Sequence, residues 1–345
     1  MEVAFILEKL ILVVIVFTVT LVIAMYSTLA ERKIAGFMQD RHGPDRAGIF
    51  GLLQPLCDGG KFFFKEEIIP AYAHKALFVL GPVIAIITAC ISSAVIPWGQ
   101  ELTIGGRTVS LQVADVNIGV LYIFGVIALG VYGIMLGGWA SNNKFALMGA
   151  IRAASQSISY EIGMGLSLIA LLMVTGTLSV GEIVAQQSGF VNWNIWVQPL
   201  GFLIFIVCAF AECNRVPFDL PECETELVGG YHTEYSSMKL GLYMFSEYIN
   251  MFVSSALMAS LYFGGYNFPF MYNLGLSSNW ITIIGVVVFF LKIFGFIFFF
   301  MWIRWTLPRF RYDQLMNLGW KVLIPLAIAN IVLTGVITII KDTYF

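Results

Sequence analysis

The residues most able to do chemistry crowd into one stretch, Ala211 to Tyr235, AECNRVPFDLPECETELVGGYHTEY. It carries Glu212, Asp219, Glu222, Glu224, Glu226 and Glu234 against a single base, Arg215, and lies between two long apolar segments. Carboxylates gathered in a low-dielectric setting repel one another. They titrate as a coupled set and change protonation when a charge arrives nearby. Acids at alternate positions (222, 224 and 226) would not share a helix face, and Pro217 and Pro221 favour an irregular loop lining a cavity. The stretch is therefore expected to join an ion-handling path to a water-facing loop.

Two further acids fall inside apolar runs. Glu161 follows RAASQSISY about one turn into its run, and Glu247 lies in GLYMFSEYINMF, past Lys239. A carboxylate at such depth costs ~2.5–3.5 kcal/mol on insertion scales, so each is a functional candidate. The plainer alternative is an acid paired across helices for structure. Tyr248 and Asn250 could extend a hydrated path from Glu247. Lys292 also lies within an apolar run. It is either a counter-charge to a membrane carboxylate or a side chain that snorkels along lipid.

The elements that must hold these groups are legible in the composition. Of 345 residues, 59% are hydrophobic and 12% charged, against ~25% charged in soluble proteins. Runs long enough to cross ~30 Å of hydrocarbon recur, and the short alternating strands of a transmembrane barrel are absent. The chain reads as an all-α polytopic membrane protein, one membrane domain over 1–345. About eight transmembrane helices are expected, at roughly 4–29, 76–97, 118–140, 157–178, 197–213, 238–263, 281–303 and 322–340. The first has no small-residue cleavage site and reads as a spanning helix rather than a removed signal peptide.

Basic residues fall almost entirely in the odd-numbered connections, among them Arg32, Lys33, Arg41, Arg46, Lys61, Lys144, Arg152, Arg215, Lys239, Arg304, Arg309, Arg311 and Lys321; the even ones carry Arg107. The odd connections are thus expected on the cytoplasmic face, with both termini opposite. The first connection includes GIFGLLQPLCDGGKFFFKEEIIP, too interrupted to span and suited to an interfacial amphipathic helix. Asp58 and Lys61 would share its polar face, and Gly59-Gly60 would weaken it. The second connection alternates around Gly105-Gly106 and predicts a small β-hairpin.

Several classes are excluded. No Walker, triad, zinc or Rossmann pattern occurs, and the bases flank the membrane rather than form a nucleic-acid patch. Cys57, Cys90, Cys208, Cys213 and Cys223 lack metal-ligand or iron–sulfur spacing and read as buried small residues. His42, His74 and His232 lie outside the apolar runs, so no haem is expected within the helices. The chain is expected to hold no metal and no redox centre.

ERKIAGFMQDRHGPDR (31–46), LLQPLCDGGK (52–61), RAASQSISYEIG (152–163), the long acidic stretch through Glu247 (211–248) and RWTLPRFRYDQLMNLGWK (304–321) resemble the H-subunit family of bacterial NADH–quinone oxidoreductase, the counterpart of subunit 1 of respiratory complex I. The resemblance implies a proton-translocating membrane-arm subunit in the bacterial cytoplasmic (inner) membrane. Its partners would be the quinone-site subunits of the peripheral arm and the adjacent membrane-arm subunits. Its substrate would be ubiquinone or menaquinone, with FMN and iron–sulfur clusters held only by partners. Carried over by position, Arg32, Arg41, Asp58, Lys61, Arg304, Arg309 and Arg311 would wall the quinone tunnel. Glu161, Glu212, Glu222, Glu224, Glu226, Glu234 and Glu247 would form its acidic proton path. Cys213, Cys223 and Gly59-Gly60 depart from the family pattern; none is an ionisable position of that pattern, so activity is expected to be kept, while Gly59-Gly60 puts the local backbone of the interfacial helix in question. The alternative within the superfamily is the membrane subunit of a proton-pumping hydrogenase or of a ferredoxin- or deazaflavin-linked complex.

Overall fold

The computed structural model describes residues 2–222, 224–269, 271 and 275–344. Thirteen helices and one hairpin make up the described chain. Six helical stretches are long and apolar enough to cross a membrane: Phe5–Met38, Lys75–Val95, Gly119–Ala140, Lys144–Thr175, Ser278–Thr306 and Tyr312–Lys341. Each overlaps an expected segment. Helix α1 (Glu2–Met38) continues past the expected end at 29, which carries Glu31 and Arg32 onto a helix. Helix α5 (Lys144–Thr175) begins well before the expected start, so Glu161 sits near mid-helix rather than one turn in. Helices α3 (Lys75–Ser92), α4 (Gly119–Ala140), α11 (Ser278–Thr306) and α13 (Ile324–Tyr344) complete the set, the last entered through α12 (Tyr312–Asn317) and a π-helical turn at Leu318–Leu323.

The two remaining expected segments are helices of a different kind. Helix α8 (Pro199–Glu212) is apolar but short, and follows the short helices α6 (Val180–Gln186) and α7 (Asn194–Val197). Helix α10 (Ser237–Tyr262) is long but more polar, because it runs through the interior and packs on α1, α3 and α11 rather than on lipid. Residues 251–262 are all buried. Small side chains there, Ser254, Ser255, Ala256, Ala259 and Ser260, permit close approach of the neighbouring helices. On the other side Gly81 of α3 and Gly137 of α4 leave room for the Tyr243 hydroxyl, which donates to the Gly133 carbonyl at 2.9 Å.

The interfacial helix forms as α2 (Gln54–Phe64), opened by Pro55 in its first turn. It runs unbroken through Gly59-Gly60, where among the described residues nothing lies within 4 Å of a Cβ added at either glycine. The hairpin forms as β1 (Glu101–Ile104) and β2 (Arg107–Ser110), antiparallel with Leu102 opposite Val109, and Gly105 and Gly106 take the positive φ of its turn. It is held to α11 by Asn279, which accepts from the Thr103 amide at 2.9 Å. The acidic stretch is not wholly irregular. Glu224–Leu227 makes one helical turn, α9, so Glu224 and Glu226 are helical.

Candidate functional site

The acidic stretch is anchored from α5. Gln156, fully buried, donates through Nε2 to the carbonyls of Ala211 (2.8 Å) and Phe218 (2.7 Å) and to Asn214 Oδ1 (3.3 Å). These bonds tie the end of α8 and the loop after it to one helix face. Farther along, Gly149 lets the chain at Gly230-Tyr231 lie directly on α5. A Cβ at Gly149 would fall 2.6 Å from the Tyr231 amide.

The loop delivers Arg215 into the protein, buried at 5% exposure. Its Nη1 is 3.3 Å from Glu31 Oε2, and its Nη2 is 3.9 Å from Glu247 Oε2. The guanidinium lies over the Tyr248 ring at 4.1 Å, and the Tyr248 hydroxyl donates to Glu31 Oε2 at 2.9 Å. Arg304, at the end of α11, pairs with the other oxygen of Glu31 at 2.6 Å. Glu31 thus joins two arginines from different elements. Sequence reasoning missed it, because ending the first span at 29 placed it in a loop. The next residue, Arg32, is about 100° round the helix, faces outward, and pairs with Asp58 of α2 at 2.7 Å. Gln54 also donates to Asp58, at 3.1 Å.

Glu247 accepts from the Tyr231 hydroxyl at 3.1 Å. Together with Glu212 it lines a cavity of about 30 Å³ whose other walls include Ser157, Asn214, Ser246 and Asn250. That volume holds about one or two waters, with polar partners on several sides. Glu212 is buried, and its Oε2 has no hydrogen-bond partner among the described residues. Glu161 is close enough to add its like charge to the surroundings of Glu212.

At the loop face, Asp219 pairs with Arg309 at 2.7 Å, and the Phe310 amide donates to the Pro217 carbonyl at 3.1 Å. The fifth and seventh connections are therefore joined. Burial pushes the Asp219 carboxyl up to about 7, with Glu222 adding to the rise while Arg309 and Arg304 pull it down.

Apart from Glu222, which adds its charge to the surroundings of Asp219, the remaining candidates are dispersed. Glu222 lies 3.7 Å from His232 Nδ1, Glu226 pairs with Arg152 at 2.6 Å, and Glu234 accepts from Asn143 Nδ2 at 2.6 Å. The side chain of Glu224, and Cys223 altogether, lie outside the described residues. Lys239 is paired with Glu67, a residue the sequence did not single out. Lys61 sits over the Phe62 ring at 5.4 Å, and Arg41 is exposed and bonded to Gln39. Arg311, also exposed, turns back to Asp313 of its own helix at 2.9 Å. The structure therefore brings together Glu31, Glu212, Arg215, Glu247 and Arg304, with Asp219 and Arg309 beside the loop. It leaves Arg41, Lys61, Arg311, Glu226 and Glu234 apart. Cys57 is exposed, contrary to expectation, because α2 presents it on its outer face; Cys208 and Cys213 are buried. Among the described residues no group of three or more His, Cys, Asp or Glu side chains is placed to hold a metal ion.

Residues 10–335 match the NADH dehydrogenase family. The chain is 70% identical over 333 residues to an NADH-quinone oxidoreductase H subunit of Cytophaga hutchinsonii, covering 96% of this chain and 97% of the relative. It is 63% identical over 340 residues to the corresponding H subunit of Flavobacterium psychrophilum, with 97% and 98% covered. It is 50% identical over 329 residues to an H subunit of the same enzyme from Geobacter metallireducens, with 95% and 96% covered.

Proposed function

The chain belongs to the NADH dehydrogenase family as a membrane subunit of NADH–quinone oxidoreductase, and from this premise we propose that its buried acids couple quinone reduction to proton translocation. In this reading the cations of the first and seventh connections, Arg32, Arg41, Lys61, Arg304, Arg309 and Arg311, with Asp58, wall the passage by which the quinone reaches partner subunits. Electrons reach the quinone from those partners. The relatives' names favour a quinone over a ferredoxin or deazaflavin as the coupled substrate. The substrate is ubiquinone or menaquinone, bound non-covalently. We place the odd connections on the cytoplasmic face of the bacterial inner membrane, with α8 and α10 crossing as well, so that eight spans leave both termini on the periplasmic side.

The observation that carries the reading is Arg215, which touches both groups of acids at once. On one side it shares Glu31 with Arg304; on the other it lies nearest to Glu247 at the cavity. Negative charge developing on a reduced quinone beside Arg304 competes with Glu31 for that cation. Glu31, left with Arg215, holds it more tightly. The contact given up is the longest of the set, 3.9 Å to Glu247. Glu247 then changes its proton occupancy, with the Tyr231 hydroxyl at 3.1 Å and cavity waters as the groups that move the proton toward Glu212. Glu161 continues the row, and Glu222, Glu224, Glu226 and Glu234 connect it to the loop face. Coupled carboxylates in one low-dielectric site respond to each other in this way.

The test is Glu212→Gln and Glu247→Gln in the assembled enzyme. Quinone-linked turnover and proton pumping should fall while electron transfer from NADH to ferricyanide is kept. Normal pumping in both variants would remove the basis of the reading.

A further inference from the structure

Lys292 does what neither of its expected roles describes. Among the described residues it meets no carboxylate, and its ammonium turns to backbone carbonyls rather than to the lipid surface. Its Nζ donates to three backbone carbonyls, Phe263 (2.7 Å), Gly265 (2.8 Å) and Asn267 (2.6 Å), and lies 4.7 Å from the centroid of the Trp193 ring. Those carbonyls belong to the turn that ends α10. Gly264 and Gly265 take positive φ there, and the Gly265 amide folds back to the Ala259 carbonyl at 2.8 Å. Two more carbonyls at the same end, Ser260 and Leu261, are taken by Gln187 and Asn194 at 2.9 and 2.8 Å.

The depth of this turn explains why so many carbonyls need side-chain donors. Tyr248 and Arg304 both contact Glu31 and so mark one level of the bundle. From that level Phe263 is roughly 22 Å along α10 and Lys292 roughly 18 Å along α11 at 1.5 Å per residue. The lysine's own length spans the remainder. Helix α11 runs roughly 21 Å beyond Lys292 to Ser278. Helix α10 therefore ends inside the bundle, at a depth where irregular backbone must find its hydrogen-bond partners within the protein. A cation at a helix C-terminus also offsets the negative end of its dipole.

We propose that Lys292 is a positioning residue: by holding the three carbonyls that end α10, it fixes the axial register of α10 against α11. That register sets Glu247 and Tyr248 on α10 against Arg304 on α11, and through Glu31 and Arg215 it sets the contacts of the acid site. The consequence for turnover rests on the reading of that site given above; the pinning of α10 does not.

The experiment uses the assembled enzyme with Lys292→Met and two measurements. Amide hydrogen exchange in residues 259–267 should accelerate roughly tenfold or more, as a locally opened end does. The pH optimum of quinone reduction should move by about half a unit or more, while NADH–ferricyanide activity is kept. Unchanged exchange overturns the pin. Faster exchange with an unmoved optimum overturns its role at the acids. Where the methionine variant does not assemble, Lys292→Arg decides. A guanidinium spreads its N–H groups outward in a planar fork instead of placing three on one nitrogen, so it does not reproduce this arrangement and exchange should still rise; wild-type exchange in that variant overturns the proposal. Normal pumping in Glu212→Gln and Glu247→Gln, with fast exchange in Lys292→Met, would remove the acid-site reading and leave the pin standing.

Discussion

Glu31→Gln is the most informative single change at the site. The carboxylate uses both oxygens: Oε1 toward Arg304 at 2.6 Å, and Oε2 toward Arg215 at 3.3 Å with the Tyr248 hydroxyl at 2.9 Å. A glutamine of the same shape offers one acceptor and one donor group. Its carbonyl oxygen can serve Arg215 and Tyr248, which are the more buried. Its amide nitrogen then faces Arg304, donor against donor. Removing one partner of a buried ion pair costs about 3–5 kcal/mol when the other stays buried. Arg304 retains 26% side-chain exposure and can turn toward water, so the lower end applies, about 3 kcal/mol. That corresponds to roughly a hundredfold in a rate or equilibrium governed by the site. The assay is the rate of thermal inactivation of quinone reduction in the purified enzyme, an operational stability suited to a large assembly, taken round a double-mutant cycle with Arg304→Gln. Because both changes break the same pair, the double variant should inactivate little faster than the worse single variant, with a coupling of about 1–3 kcal/mol. Additive effects, or a change in Glu31→Gln of less than about twofold, would refute the assignment of Glu31 as the shared acid of the two arginines.

Two further outcomes follow from the geometry. The Asp219 carboxyl is raised in the folded protein from 3.8 to about 7, first by burial. A raised acid stabilises most below its unfolded value, and its contribution is lost as pH climbs through the folded value. The junction of the fifth and seventh connections should therefore loosen between pH ~4 and ~7, as read by limited proteolysis near Arg309, and Asp219→Asn should flatten that dependence. At Gly149 an added methyl would fall 2.6 Å from the Tyr231 amide and 2.8 Å from Gly230. Gly149→Ala should cost about 1–3 kcal/mol by overpacking. It should also lower quinone-linked turnover by moving the Tyr231 hydroxyl off Glu247, whereas Ala153→Gly, elsewhere on α5, should leave turnover near wild type.

What the sequence could not convey is mostly a matter of which groups face protein and which face lipid. The acids at 161 and 247 stood out because a charge inside an apolar run is costly wherever it lies, and Glu212 because it belongs to the crowded acidic stretch. Glu31 did not, because at the edge of a run an acid looks like loop chemistry; only the continuation of α1 to Met38 turns it inward. Gln156 was hidden among the small residues of RAASQSISY. Its value comes from carbonyls more than fifty positions away, and no local pattern records them. Helix α10 shows the same limit from the other side. Its serines, Lys239 and Glu247 lower its hydropathy below that of its neighbours, yet it is the most enclosed helix of the bundle. Hydropathy measures contact with lipid, and a helix surrounded by other helices is free of that requirement. The same freedom lets α10 end within the bundle in a turn whose carbonyls are met by side chains of other elements. A lysine on α11 can then serve as their donor, although its own sequence neighbours, Leu291 and Ile293, announce nothing but membrane.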